Sequence, residues 1–320
     1  MKIFTLHIGI LLSFCSFGQE QRDSSYIETY RDSWVLRLFN KNTTNTLVEQ
    51  NTANDYQIKF KGNGNYRIGL GFNYKWLGLN LGLISPLKNT DTDTKGTTEG
   101  FDFQTNLYLK KLTVDLHVQT YQGYYLNHKD LRVNGTYPIR KDMTVFSMGG
   151  RVIYVFNHKK FSFRAPFLQN ERQLVSAGSW IGGVRFGIYN AISDSSWSHE
   201  ELEQFIPSMN SIKSISSLNM GITGGYAYTK VFDNLLFLTL SATPSLAIQV
   251  SDHVFESAER NQVKGNGSMR MQWRGAFGYN SEKKYLGLTF VNDAVTLGKI
   301  FNQRYIYRFG NLKLIAAQRF

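Results

Sequence analysis

The sequence predicts an all-β protein, a closed antiparallel transmembrane β-barrel of about 12 strands (between about 10 and 14), with short turns on one side and longer loops on the other. Three observations carry this expectation. Apolar and polar residues alternate with period two along most of the 320 residues, which is the strand signature. The chain holds 23 Phe, 18 Tyr and 28 Gly but only 5 Pro, a composition suited to long strands because proline cannot donate to a ladder. It ends on Leu312, Leu314, Ala316, Gln318 and Phe320, a mostly apolar alternation closing on Phe.

The elements follow in chain order. Lys2 and the apolar residues 3–17 read as a secretory signal peptide, and the small residues Ser16 and Gly18 place cleavage after Gly18. Phe14 stands where a lipoprotein signal has a small residue before its cysteine, so Cys15 is expected to leave with the leader. The remaining chain then has no thiol, disulfide or cysteine metal site. The expected organisation is 1–18 signal, 19–53 an N-terminal segment and 54–320 the barrel. In 19–53, Trp34, Leu36 and Leu38 alternate with Val35, Arg37 and Phe39, which leaves edge strand, plug and periplasmic arm open. No later apolar run approaches ~18 residues, so no transmembrane helix is expected.

From Tyr66 one face reads Tyr66, Ile68, Leu70, Phe72, Tyr74 and Trp76, and the other Arg67, Gly69, Gly71, Asn73 and Lys75. A turn follows near Trp76 and Gly78. The same pattern recurs around Phe101, Phe103 and Leu107, then Leu112, Val114 and Leu116, then Phe146, Met148 and Val152. Phe161 and Phe163 flank Ser162 and Arg164 as a further stripe. Val184, Phe186 and Ile188 continue it, as do Leu218, Met220 and Ile222, Met269, Met271 and Trp273, and Leu286, Leu288 and Phe290. A hairpin is expected at Gly310 and Asn311. Longer polar stretches at about 86–99, 125–142, 191–213, 251–266 and 293–302 read as the loops of one side.

Period alone does not say which face is buried. In hydrocarbon, unpaired backbone groups are unsatisfied, so a sheet must close on itself, its outer face apolar and its lumen polar. Several segments reach the ~9–11 residues that a tilted membrane strand requires. Strand length, aromatic content and the C-terminus therefore favour polar-side-in. The lumen-lining candidates are Arg67, Lys75, Asp102, Asp115, His117, Arg151, Arg164, Arg185, Arg270 and Arg274. The final strand, with Leu312, Leu314 and Phe320, resembles the β-signal that the barrel-assembly machinery of Gram-negative bacteria reads in its clients. The net charge of +12 suits lipopolysaccharide and outer-membrane lipid as partners, and export argues against nucleic acid. The expected compartment is the outer membrane.

Motifs with chemistry are weak. His199-Glu200-Glu201-Leu202-Glu203 has Glu203 where a zinc-protease helix needs its second His, so a short amphipathic helix capped by Ser198 and Glu201 is expected instead. Asp91-Thr92-Asp93-Thr94-Lys95-Gly96 hints at a calcium loop, but Lys95 stands where the fifth position needs an oxygen ligand and Asp102 where the twelfth needs Glu, so a solvated polar loop is expected. Gly62-Asn63-Gly64 lacks the third glycine of a dinucleotide loop, since Arg67 stands there, and reads as a tight hairpin turn. No metal site or cofactor is expected. His117 and Asp115, two residues apart, could serve a hydrolase if a neighbouring strand supplied a Ser or Thr.

The stretch from Gly69 to Leu79 (GLGFNYKWLGL), the stretch from Gly224 to Thr229 (GGYAYT) and the terminal Arg319-Phe320 resemble an uncharacterised family of Bacteroidetes exported proteins, a domain of unknown function. The resemblance covers about residues 25–320 and implies the barrel and the compartment, with no activity and no site residues. The expected function is an outer-membrane barrel without enzymatic activity, a small porin-like pore or a structural barrel with a basic lumen that favours anions if open. The alternatives are an outer-membrane lipid- or lipopolysaccharide-modifying hydrolase and a soluble periplasmic ligand-binding β-protein.

Overall fold

A computed structural model gives the fold. It describes residues 22–320 except 31, 54–55, 65, 75–76, 85–90, 129–130, 198–211, 234, 256–259 and 301, and it does not describe the side chains of 77–80, 82–84 and 260–266. The signal segment 1–18, Lys75 and the helix expected from Ser198 lie outside the described residues.

In chain order the elements are β1 (Ile27–Thr29), β2 (Val35–Asn51), β3 (Gln57–Lys61), β4 (Tyr66–Tyr74), β5 (Leu77–Ile84), α1 (Thr92–Lys95), β6 (Glu99–Tyr108), β7 (Leu112–Leu126), β8 (Ile139–Val155), α2 (Arg164–Phe167), β9 (Glu171–Gln173), β10 (Ala177–Ile192), β11 (Ile212–Phe232), β12 (Leu236–Phe255), β13 (Arg260–Asn280), β14 (Lys284–Ile300) and β15 (Gln303–Arg319). Thirteen strands form one antiparallel sheet, and β1 with β9 forms a separate ribbon. Ten strands close a complete circuit, because β15 pairs with β2, β2 with β3 and β3 with β7. The fold is therefore a closed antiparallel barrel. The first barrel strand begins at Val35, so the 19–53 segment contributes a wall strand and the barrel starts before the expected boundary at 54.

β3 and β4 are two halves of one stave. Both pair with β2, at Thr46↔Lys61 and Asn42↔Tyr66. The hairpin turn expected at Gly62-Asn63-Gly64 is therefore absent, and the chain continues in the same direction through a break. The glycine serves close approach, since a Cβ on Gly62 would lie 2.2 Å from Asn45 Oδ1. Asn63 anchors the break. Its backbone N–H donates to Thr98 Oγ1 (2.7 Å), and its side chain donates to Gly96 O (2.8 Å) and Asp91 Oδ1 (3.1 Å). Asp91 is thus engaged by Asn63 and Lys95 in a helical turn. Below the break, β4 pairs with β5, and β6 pairs with β7. No ladder joins β5 to β6 among the described residues.

Two of the five long loops expected from the sequence, 251–266 and 293–302, are mostly strand. β12 and β13 run through 251–255 and 260–266, and β14 runs to Ile300. The physical reason is a change of surroundings along the staves. β11 has 21 residues, roughly 50 Å of height at ~3.3 Å per residue and the usual tilt, against a hydrocarbon core of ~30 Å. At the end bearing the short turns, the wall is apolar outside and charged inside. Leu36, Leu38, Leu312 and Leu314 are exposed, whereas Arg37 between the first two is 5 % exposed. At the loop end the sense inverts. Leu47, Val295, Tyr305 and Tyr307 point inward and are fully buried, while Thr44, Arg304 and Arg308 face outward and are exposed. The inward apolar residues join Phe60, Tyr124, Met143 and Trp197 in a hydrophobic cluster that fills the loop end.

The stripe expected at Phe161 and Phe163 is not a wall strand. Residues 157–174 leave the wall between β8 and β10 and fold into the barrel as an insert carrying α2 and β9. Ser162 Oγ accepts the N–H groups of Arg164 and Ala165 (both 3.1 Å), starting the helical turn. Pro166 stands within that turn, where a central strand would lose a donor.

Candidate functional site: the charged lumen and its insert

The lumen between the apolar cluster and the insert holds the sequence-predicted charges, and a buried ion stays charged only if neighbours replace its hydration. Asp115 on β7 sits between Arg151 of β8 and Arg274 of β13, each at 2.5 Å, and accepts a further bond from Asn106. Across the lumen, Arg270 forms a two-pronged pair with Asp293 of β14, and Gln272 Nε2 also donates to Asp293 (2.6 Å). Arg274 Nη1 reaches Tyr108 Oη (3.0 Å) and Arg270 Nη1 reaches Tyr189 Oη (3.2 Å). Alternate residues on β13 thus carry Arg270, Gln272 and Arg274 to one wall of a single network. Asp102 of β6 pairs with Lys41 of β2 (2.6 Å) and accepts from Gln104 and Gln119.

Other candidates go elsewhere. Arg185 faces inward at 2 % exposure; its Nη1 donates to Asn219 Oδ1 (2.8 Å), and its Nε and Nη2 have no hydrogen-bond partner among the described residues. Arg67 donates to Gly100 O (3.0 Å), away from the central network. Arg164 belongs to the insert, where it meets Glu171 at 3.4 Å. Leu312, Leu314 and Phe320 lie on the outer face. His117 packs its ring on Phe309 at 5.4 Å, and its buried Nε2 has no hydrogen-bond partner among the described residues. Because Arg151, Arg274 and Asn106 occupy the Asp115 oxygens, Asp115 does not serve His117 as the orienting acid of a hydrolase.

Sequence reading missed Arg37, Lys41, Glu171, Asp293 and Lys313. Arg37 and Lys313 interrupt the Leu36–Leu38 and Leu312–Leu314 pairs, so parity was the available signal. Glu171 gave none, because its role depends on the insert. Its carboxylate, 1 % exposed, accepts from Ser162 Oγ (2.5 Å) and meets Arg22 (3.1 Å) and Arg164.

The insert is docked on five wall strands. Arg37 of β2 donates to Gln169 Oε1 (3.2 Å), Asn73 of β4 donates to Leu168 O, and Asn280 of β13 donates to Glu171 O (3.2 Å). Tyr285 of β14 donates to Pro166 O (3.0 Å), and Arg319 of β15 donates to Gln169 O (2.6 Å). β1 pairs with β9 from Ile27↔Gln173 to Thr29↔Glu171, tying the N-terminal segment to the insert. Between the insert and the apolar cluster lies a cavity of about 110 Å³, bordered by Phe167 and Leu168 of the insert, by Phe309 and by the Asp115 and Asp293 networks.

No curated protein matches the chain. Among solved structures, the TodX monoaromatic hydrocarbon channel (a deltaS2 mutant) is similar at 8 % identity and TM-score 0.32, over 90 % of this chain and 91 % of that one. The outer membrane protein OmpT of Vibrio cholerae is similar at 10 % identity and TM-score 0.26, over 90 % of this chain and 100 % of that one. A family model described as "Domain of unknown function (DUF4421)" matches residues 21–320, and the chain belongs to that family.

Proposed function

We propose that the protein is a Gram-negative outer-membrane barrel whose basic lumen selects small anions when both the insert and the apolar cluster at the loop end give way, its turn end toward the periplasm. One observation carries this reading. The staves change amphipathic sense part-way along, from apolar-out and charged-in to polar-out and apolar-in. A water-soluble barrel has no reason to expose Leu36, Leu38, Leu240, Leu246, Ile248, Leu312 and Leu314 on one continuous wall. A wall that leaves hydrocarbon for water no longer needs an apolar outer face, and its apolar residues can turn inward.

The compartment is reached through the signal peptide, cleaved after Gly18, and the β-signal on the last strand engages the assembly machinery; a Bacteroidetes origin fits the resemblance. Beyond the apolar belt, Arg304 and Arg308 of β15 and Lys59 and Lys61 of β3 face outward, and Arg308 and Lys61 both pair with Thr46. This basic collar meets the phosphate groups of lipopolysaccharide. The test is membrane fractionation joined to heat-modifiable migration on a detergent gel, then conductance in planar bilayers. The reading expects membrane-bound, heat-modifiable protein with rare anion-selective openings. Protein recovered monomeric without detergent refutes the barrel, and folded protein with cation-selective openings refutes the lumen's role.

A further inference from the structure

The charges around the central cavity do not balance. Arg37, Arg151, Arg270, Arg274 and Lys313 border it, against Asp115 and Asp293 alone. Asp115 is shared by Arg151 and Arg274, and Asp293 is occupied by Arg270. Arg37 donates to Gln169 Oε1 (3.2 Å) and Asn73 Oδ1 (2.8 Å) on the insert side of the cavity. Lys313 forms no ion pair within 4 Å among the described residues, the nearby Asp102 carboxylate being taken by Lys41 (2.6 Å), and its ammonium lies 5.9 Å from the Phe39 ring centroid. A cavity flanked by the insert on one side and by Phe309 and the apolar cluster on the other is only partly open to solvent, and there unbalanced cations are costly unless an anion joins them or a lysine gives up its proton.

We propose that this cavity is a binding site for one small oxyanion of the phosphate or sulfate class, held chiefly by Lys313, Arg37 and Arg274. Guanidinium groups present paired N–H donors that match two oxygens of one oxyanion, which favours that class over a monatomic halide. His117, with its buried Nε2 unpartnered, supplies a further donor in its Nε2–H tautomer. At ~10–15 Å³ per water-sized occupant, the volume holds a tetrahedral oxyanion with several waters. The inference rests on the barrel reading for its enclosure.

The test measures thermal unfolding of the detergent-purified, heat-modifiable protein in inorganic phosphate, sulfate, acetate and chloride at equal ionic strength. Wild type is expected to resist heat better in millimolar phosphate or sulfate than in chloride. Lys313→Met is expected to lose at least about tenfold in apparent phosphate affinity, while Lys313→Arg keeps the response. In oxyanion-free chloride, Lys313→Met is expected to be no less stable than wild type, because it removes an uncompensated charge. Folded wild type indifferent to anion identity overturns the site and leaves the barrel standing, as does an unchanged phosphate response in Lys313→Met. A preference for acetate overturns the assigned class. Protein that is monomeric without detergent overturns the site together with the barrel.

Discussion

Replacing Glu171 with alanine should release the insert without unfolding the wall. In the native lumen this carboxylate is 1 % exposed and answers two guanidiniums, Arg22 and Arg164, whose side chains are 8 % and 3 % exposed, together with the Ser162 hydroxyl. Removing one partner of a buried pair costs about 3–5 kcal/mol, since the remaining charge is stranded. Here the cost is relieved if residues 157–174 swing out and hydrate Arg164, against wall contacts that comprise single hydrogen bonds of about 1 kcal/mol each and the packing of Phe161, Phe163 and Leu168 on Tyr108, Ile153 and Ile181. Taking about 3 kcal/mol as the effective loss, the equilibrium between docked and released insert shifts by roughly 150-fold. Hydrogen exchange followed by mass spectrometry in detergent reads this directly. Peptides from 157–174 and from Ile27–Thr29 should exchange on the order of a hundredfold faster, while β11 to β14 peptides keep their protection. Unchanged exchange in 157–174 would refute the claim that Glu171 holds the insert, and equal acceleration across β11 to β14 would show that insert and wall unfold as one unit.

Three further outcomes follow. Leu246→Arg, in the middle of the exposed belt, should cost about 2–4 kcal/mol in refolding into lipid bilayers, whereas Thr44→Arg on the polar outer face should be near neutral; equal costs would contradict the assigned belt. Asp115→Asn should destabilise the barrel by about 3 kcal/mol by leaving Arg151 and Arg274 unbalanced, and adding Arg274→Met should recover part of that loss in denaturant melts; additive losses would count against a shared network. At the loop end, the Lys95 ammonium, donating at 2.5 Å, holds the Asp91 carboxyl below its ordinary value of 3.8. Since the folded pKa is depressed, the contribution is present at neutral pH and is lost as pH falls through the folded value. Exchange protection of Thr92–Lys95 should therefore decline in acid in wild type and be pH-independent there in Asp91→Asn.

The barrel was legible in the sequence because its turn-end half obeys a single rule, with Leu36, Leu38, Leu312 and Leu314 alternating with Arg37 and Lys313. The loop-end half was not, because β14 and β15 there read Asn292, Asp293, Thr296 and Arg304 among Val295, Tyr305 and Tyr307. Polar outer positions beyond the belt look like loop when the pattern expected is that of a membrane strand. Asp293 was lost to the site for this reason. The insert escaped for a different one. Phe161, Ser162, Phe163 and Arg164 keep strand parity, and only Pro166 and the distant Glu171 show that the chain turns inward. Ion pairing across the lumen, such as Arg274 with Asp115 at 159 positions' separation, depends on closure and has no local signature.

The interrupted stave beside Asn45 also sets the girth of the molecule. Where β3 bridges β2 directly to β7 the wall has ten members; below the interruption, β4, β5 and β6 stand in the place of β3, with no ladder between β5 and β6 among the described residues. Barrel width grows with the number of strands around it, so the wall widens toward the turn-end mouth. That flare makes a vestibule wide enough for a folded-in segment, with Asn73 and Tyr108 on its extra members touching Leu168 and Phe167. A relative lacking the excursion between β4 and β6 would be a straight, narrow tube with nowhere to seat such a stopper.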